Sequence, residues 1–133
     1  MQSYTKLQNL ALLILRLIVA AIFGYAAYAK FGLWSGVPAG MPAVMVNLMK
    51  FLAIVEPLGA LALILGFLTR WAARGLFIIM VGAILIMQFV MHVGFSTMAG
   101  PGWNFPLVVL GGCLALMAFG AGSMSMDAKQ GRE

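Results

Sequence analysis

Four long apolar stretches occupy most of this 133-residue chain and restrict its fold more than any other feature. They cover residues 10–29, 51–68, 75–91 and 103–121, and each contains at most two polar, charged or prolyl residues. A helix needs about 20 apolar residues to cross the roughly 30 Å of hydrocarbon in a bilayer. Because lipid offers no partner to backbone N–H and C=O groups, these stretches are expected to be helices rather than isolated strands.

The composition supports the same assignment. Hydrophobic residues make up 64% of the chain and charged residues 8%, whereas soluble domains carry about 25% charged residues. The sequence therefore predicts an all-α membrane protein, a four-helix transmembrane bundle whose single domain covers residues 1–133. The four helices are expected at about residues 8–30, 48–68, 71–92 and 103–121.

Glycine, proline and small polar residues mark the expected connections. Residues 32–42 link the first two helices, Thr69–Arg74 forms a tight polar corner, and residues 94–102 form an uncharged loop before the fourth helix. The tail after Gly120 is small and polar, and it is expected to fray.

The distribution of Lys and Arg predicts the orientation of the bundle. With the N-terminus in the cytoplasm, five basic residues lie on the inner side and two on the outer side. The inner residues are Lys6, Arg70, Arg74, Lys129 and Arg132, and the outer residues are Lys30 and Lys50. This asymmetry favours both termini inside, N-in and C-in. The net charge of +5 then reflects membrane orientation, and no basic cluster indicates nucleic acid as a partner.

Polar side chains within the apolar stretches are the candidate functional residues. With a rise of about 1.5 Å per residue, their depths from the cytoplasmic edge form a ladder through the bundle. It consists of Arg16 at about 12 Å, Glu56 at about 20 Å, Gln88 at about 27 Å, and His92 and Lys30 at about 33 Å. Charged groups facing lipid are costly, so these side chains are expected to face the bundle interior.

Two interpretations of Glu56 stay open at this point. It either forms a buried ion pair with Arg16 that fixes helix packing, or it serves as a carboxylate that exchanges protons or binds a ligand. The opposite charges and the length of the arginine stem favour a contact between Glu56 and Arg16. A structural partner role is the better interpretation for Arg16 itself.

The outer half of the bundle is a candidate quinone or proton path. Gln88 and His92 are four residues apart and share a helix face, while Trp103 and Asn104 begin the fourth helix at the same level. His92 and Lys30 can donate hydrogen bonds to a quinone carbonyl. The alternative is that these residues cap helix ends or reach the headgroups.

The chain has few residues of the types that carry electrons or bind metals. It contains one cysteine and one histidine, so it has no cysteine pair for thiol redox chemistry and no His/Cys/Asp set with metal spacing. No catalytic residue is assigned, and no cofactor is expected to be held covalently or by metal ligands. A quinone is the one candidate cofactor.

Four segments together carry a resemblance to a known family. They are L-R-L-I-V-A-A-I-F-G-Y-A-A-Y-A-K-F (15–31), E-P-L-G-A-L-A-L-I-L-G-F-L-T-R (56–70), G-W-N-F-P (102–106) and G-A-G-S-M-S-M-D (120–127). In this order they resemble the DoxX family of four-helix membrane proteins. The resemblance implies a multi-pass protein of the bacterial or archaeal cytoplasmic membrane. Relatives are described as membrane subunits of redox systems, including thiosulfate:quinone oxidoreductase, and Arg16, Lys30 and Glu56 match polar positions of the family.

Three functions remain to be distinguished. The chain is a membrane subunit of a quinone-linked oxidoreductase, a structural or assembly subunit of a larger complex, or a small transporter. The first two are favoured, since only Pro57 hints at the broken helix typical of transporters. The expected partners are the lipid bilayer and either other membrane subunits or further copies of this chain.

Overall fold

The computed structural model describes residues 3–132, and its regular structure is helical, with no strand in that range beyond an isolated bridge between Ser96 and Pro101. The α-helices are α1 (Lys6–Lys30), α2 (Ala43–Leu65), α3 (Thr69–Leu85), α4 (Asn104–Phe119) and α5 (Met126–Lys129). A 3-10 turn, Phe31–Trp34, continues α1, and a π turn, Ile86–Val90, continues α3.

Three of these helices are long and apolar enough to cross a membrane. They are α1 with its 3-10 turn, α2, and α3 with its π turn. Helix α4 is apolar but has only 16 residues, which gives a length of about 24 Å. The predicted all-helical fold is therefore confirmed, with three helices long and apolar enough to cross a membrane and one shorter helix. The four-span topology and the N-in/C-in orientation stay predictions.

The helices pack as two close pairs. Helix α1 lies mainly against α2, and α3 lies mainly against α4, whereas α2 and α3 contact each other less extensively. The interior is filled by Phe23, Leu63, Leu76 and Leu116, each at most 1% exposed. Buried alanines on α1, α2 and α3 let the backbones approach; they include Ala20, Ala60 and Ala73.

The bundle has two distinct ends, which we call the terminal end and the loop end. The terminal end holds the start of α1, the α2–α3 corner and the C-terminal tail (residues 120–132). The start of α1 bonds to the end of α4 and to the tail: Tyr4 Oη donates to the Phe119 carbonyl at 2.8 Å, and Asn9 Oδ1 accepts from the Ser123 N–H at 2.8 Å. The loop end holds residues 31–42 and 91–103.

The boundaries of α2 and α3 differ from the predicted ones because of local backbone geometry. Pro42 adopts an extended conformation that allows α2 to start at Ala43, earlier than expected. Helix α2 ends before Gly66, whose φ of 66° is left-handed, and the Phe67 N–H then donates to the Ala62 carbonyl. The corner is therefore residues 66–68, and the predicted polar corner Thr69–Arg74 is instead the first turn and a half of α3.

The C-terminal tail is the largest departure from expectation. It was predicted to fray, but it folds back over the terminal end and forms the short helix α5. Ala121, Ser125 and Asp127 are buried there. The reason is a set of specific polar contacts with α1 and α3, which the composition of the tail does not reveal.

Candidate functional site

Arg16 anchors the terminal end from inside the bundle. It is fully buried on the face of α1 that also buries Leu12 and Val19. Its Nη1 donates to the Leu63 carbonyl at 2.9 Å, and its Nη2 donates to the Met124 carbonyl. The guanidinium thus bonds the last turn of α2 to the tail through backbone oxygens.

Asp127 makes the complementary contact from the tail. Its two carboxylate oxygens accept from the N–H groups of Leu68 and Thr69, at 2.7 and 2.8 Å, and so cap the N-terminus of α3. Its own N–H donates to the Gly66 carbonyl at 2.8 Å. Leu68 has a φ of 49°, an uncommon conformation for a leucine, and the carboxylate holds it in place.

The corner can approach Arg16 and the tail this closely only because residue 66 is glycine. A Cβ added to Gly66 would lie 2.4 Å from the Cβ of Ser125 and 2.5 Å from Nη1 of Arg16. A left-handed φ also favours glycine at this position. Gly66 is therefore required by both the turn and the contact.

Sequence reasoning missed the role of Asp127, although one signal was present. Asp127 is one of only three acids in the chain and follows Ser125, whose hydroxyl caps α5 by accepting from the Ala128 N–H. A rare acid after a small polar residue is typical of helix capping. What the sequence did not show is that its partner lies 58 residues away, at the start of α3.

Asp127→Ala is expected to lower the free energy of unfolding in detergent by about 1–2 kcal/mol, because it removes the helix cap of α3. It should also release the tail, so limited proteolysis should cut residues 120–132 faster. Asp127→Asn keeps one acceptor oxygen and should lose about half as much stability. Equal proteolysis of the tail in wild-type and Asp127→Ala protein would contradict the capping role.

Lys30 and Glu56 form an ion pair toward the loop end. Lys30 Nζ lies 2.8 Å from Glu56 Oε2, and the side chains are 20% and 2% exposed respectively. The same Nζ donates to the Ala26 carbonyl at 3.3 Å. Both Arg16 and Glu56 are interior, as predicted, but the carboxylate is paired with Lys30 instead of Arg16.

Side-chain direction explains the difference in partner. Side chains on a helix lean toward its N-terminus, and α1 and α2 run antiparallel. Arg16 on α1 therefore leans toward the terminal end, away from Glu56. Glu56 on α2 leans toward the loop end and meets Lys30, whose side chain folds back along α1. Depths calculated from α-carbon positions alone placed the wrong cation beside the acid.

Asn104 and Trp103 lie where the loop end meets α4. The backbone N–H of Trp103 donates to the Gly94 carbonyl. The indole ring of Trp103 packs edge-on against the ring of Phe95, with the centroids 4.7 Å apart. The Asn104 N–H donates to the Phe95 carbonyl, but its buried side-chain oxygen accepts no hydrogen bond from the described residues. A buried acceptor without a partner is a place where a donor is expected.

Gln88 and His92 are less closely tied to this region than predicted. Gln88 lies half-buried in the π turn, and His92 is exposed beyond it with a φ of 52°. They do not share a regular helix face, because the α-helical hydrogen bonding ends at Leu85. No hydrogen bond among residues 3–132 joins either side chain to Lys30 or Glu56, so their role stays a prediction.

An apolar cleft adjoins the ion pair. Its volume is about 430 Å³, and it is lined by Ala21, Ile22, Tyr25, Ala26 and Phe105. Ala26 is the residue whose carbonyl accepts from Lys30, and Phe105 follows Asn104 in α4. The cleft therefore runs between α1 and α4. Lys30 and Asn104 do not line it, but each neighbours a residue that does: Lys30 bonds to Ala26, and Asn104 precedes Phe105. Within residues 3–132, no group of three or more His, Cys, Asp or Glu side chains is placed to hold a metal.

Comparison with known proteins gives the family. Neither a curated protein nor a solved structure matches the chain. A family model described as DoxX matches residues 11–93, which include Arg16, Lys30, Glu56, Gln88 and His92 and cover well over half of the chain. With a match of this extent, on a helical membrane fold, the chain belongs to the DoxX family.

Proposed function

We propose that this protein is a membrane subunit of a quinone-linked redox complex, in which the loop end of the bundle receives the quinone headgroup. The observation that carries the proposal is the Lys30–Glu56 ion pair beside the apolar cleft of about 430 Å³ between α1 and α4. An apolar slot with a few convergent polar groups is the usual form of a small-molecule site.

The residues at the cleft fit the demands of a quinone. Lys30 Nζ has three N–H donors, and two of them are used by Glu56 and Ala26. The third is left for an acceptor such as a quinone carbonyl. The unpartnered oxygen of Asn104, the residue before Phe105 of the cleft, is an acceptor that a hydroxyl donor would satisfy.

Each residue then has a distinct task. The Glu56 carboxylate holds the Lys30 ammonium in position, and the remaining lysine N–H is the donor available to an oxygen that gains negative charge. A quinone supplies the electron-accepting chemistry when it is bound. The electrons themselves must come from another subunit, since one cysteine and one histidine provide no carrier within this chain.

The proposal is tested on the complex isolated in mild detergent through a tag on this chain. Lys30→Gln should reduce turnover with a short-chain quinone by at least about tenfold, the loss expected for one charge-assisted hydrogen bond. Lys50→Gln is the matched control: Lys50 lies at the same end but contacts the ring of Trp34, 5.6 Å from its centroid. It should leave turnover unchanged.

Two other outcomes would redirect the assignment. If Lys30→Gln leaves turnover unchanged while the complex stays assembled, the chain acts as a structural or assembly subunit. If no other subunit co-purifies and the protein moves a solute across vesicles, the transporter interpretation replaces the redox one. Gln88→Ala and His92→Ala, in the same assay, decide whether those residues belong to the site.

We also propose that the protein lies in the bacterial or archaeal cytoplasmic membrane with its terminal end in the cytoplasm. The support is the concentration of Lys and Arg at that end of the bundle. Reporter fusions to residue 132 and to the 94–102 loop should report cytoplasmic and external locations respectively. A C-terminus outside the membrane would contradict this orientation.

A further inference from the structure

A second concave region lies at the terminal end, at the opposite end of the bundle from the Lys30–Glu56 pair. It is a cavity of about 230 Å³, here called the basic cavity, lined by Leu68, Thr69, Arg70, Trp71, Asp127 and Arg132. The guanidinium of Arg70 makes no hydrogen bond to the described residues, and its Nε is buried without a partner. Arg132 contacts the ring of Phe67, 5.4 Å from its centroid. Both cations therefore keep donors for a ligand.

An apolar groove of about 430 Å³ begins where the basic cavity ends. It runs between α2 and α3, and Gly59 and Gly75 are among the residues that line it. Leu68 and Trp71 line both the groove and the basic cavity. The basic cavity at the α2–α3 corner and the apolar groove along the two helices thus adjoin at Leu68 and Trp71.

The charge around this region is strongly positive. Five cations lie at the terminal end outside the core: Lys6, Arg70, Arg74, Lys129 and Arg132. The one described acid there, Asp127, already accepts from two N–H groups at the start of α3, which offsets its charge. The guanidinium carbon of Arg74 lies 4.6 Å from the ring centroid of Trp71. Trp71 is exposed, and exposed tryptophans are typical of membrane interfaces.

We propose that the basic cavity and the α2–α3 groove together bind one anionic phospholipid. Its phosphodiester is bound by Arg70 and Arg132, and one acyl chain lies in the groove. Arginine pairs well with phosphate oxygens, and basic pockets beside membrane helices are suited to anionic headgroups. The continuity of the two spaces through Leu68 and Trp71 matches a molecule that is charged at one end and apolar along the rest.

The headgroup contact is tested on the full chain purified in detergent, with dioleoylphosphatidylglycerol as the probe. Native mass spectrometry should show one retained lipid, and dioleoylphosphatidylcholine, which has the same chains and no net charge, should be retained far less. The pair Arg70→Gln/Arg132→Gln should weaken phosphatidylglycerol binding about thirtyfold, or about fivefold for each cation. Lys6→Gln/Lys129→Gln removes the same charge from the same end, outside the cavity, and should weaken binding less than threefold.

The acyl-chain contact is tested by filling the groove. A Cβ added to Gly75 meets no atom within 4 Å, so Gly75→Leu should place a side chain in the groove without disturbing the helix. It should weaken phosphatidylglycerol binding about tenfold, since several buried methylene groups of the lipid lose their place. Gly82→Leu, also open and on the same helix but outside the groove, is the control and should bind normally.

Three results would overturn the proposal. If the Arg70→Gln/Arg132→Gln and Lys6→Gln/Lys129→Gln variants lose phosphatidylglycerol binding equally, the lipid responds only to the net charge of the surface. Unchanged binding in Gly75→Leu would mean that no acyl chain lies in the groove. Competition by sn-glycerol-3-phosphate at concentrations similar to those of the lipid would assign the cavity to a soluble phosphate ester instead. Circular dichroism of each variant, with helical content equal to wild type, establishes that a loss of binding is not a loss of fold.

Discussion

Replacing Arg16 with alanine is expected to lower the free energy of unfolding in detergent by about 3–6 kcal/mol. Its guanidinium donates to backbone carbonyls of Leu63 and Met124 from a fully buried position. Each charge-assisted bond of this kind contributes about 1.5–3 kcal/mol, and its loss leaves a buried carbonyl without a donor. The space vacated by the side chain adds to the loss.

The measurement is thermal or denaturant unfolding in one detergent, combined with proteolysis of the tail. Arg74→Ala is the control, because Arg74 is exposed and its guanidinium lies over the ring of Trp71; this substitution should cost less than about 1 kcal/mol. Arg16→Lys keeps the charge, but an ammonium group cannot reach carbonyls in two directions. The stability of this variant should therefore lie between those of Arg16→Ala and wild type. An Arg16→Ala protein as stable as Arg74→Ala, with its tail protected, would show that Arg16 does not hold the terminal end together.

Much of the architecture was predictable because lipid imposes a simple rule on the sequence. Uninterrupted apolar stretches must be helices, and charges within them must face inward. Arg16 and Glu56 are accordingly buried at 0% and 2% exposure. The family resemblance rested on four ordered segments that include these positions, and the family match over residues 11–93 confirms it.

The partner of Glu56 was not predictable from depth alone. A rise per residue locates α-carbons, but the 2.8 Å contact with Lys30 depends on side chains several Å long that lean along their helices. The antiparallel arrangement of α1 and α2 draws Arg16 and Glu56 apart and brings Lys30 and Glu56 together. A prediction that included side-chain direction could have chosen the correct pair.

The tail was not predictable for a different reason. It has no apolar periodicity, and its order comes from a few long-range polar contacts: Asp127 with the start of α3, Arg16 with Met124, and Asn9 with Ser123. Contacts between residues more than 50 positions apart leave no local pattern. Residues 66–68 and Arg16, within the stretch that matches the family, provide the surface on which the tail folds.

The two interior-facing cations of α1, Arg16 and Lys30, therefore have different tasks. Arg16 bonds to backbone carbonyls and is expected to contribute mainly stability. Lys30 is one-fifth exposed and paired with the acid of α2, and it bonds to Ala26, one of the residues that line the cleft between α1 and α4. The distinction predicts that variants at Arg16 change unfolding, while variants at Lys30 change both unfolding and activity.

A double-mutant cycle on Lys30 and Glu56 is expected to show strong coupling. Lys30→Met leaves the nearly buried carboxylate of Glu56 without its counter-ion, and breaking a buried pair in this way costs about 3–5 kcal/mol. Glu56→Leu leaves the more exposed lysine unpaired and should cost less. The double variant replaces both charges by apolar groups and should be nearer to wild type than Lys30→Met is.

The matched control is the same cycle on Arg16 and Glu56. These side chains share no hydrogen bond in the structure, so Arg16→Met and Glu56→Leu should have additive effects to within about 0.5 kcal/mol. Together the two cycles show which cation pairs with Glu56: Arg16, which charge and depth predicted, or Lys30, which lies beside the carboxylate in the structure. Additivity in the Lys30 cycle together with coupling in the Arg16 cycle would mean that Glu56 pairs across the bundle with Arg16, and the proposed quinone site would then lose the carboxylate that holds its lysine.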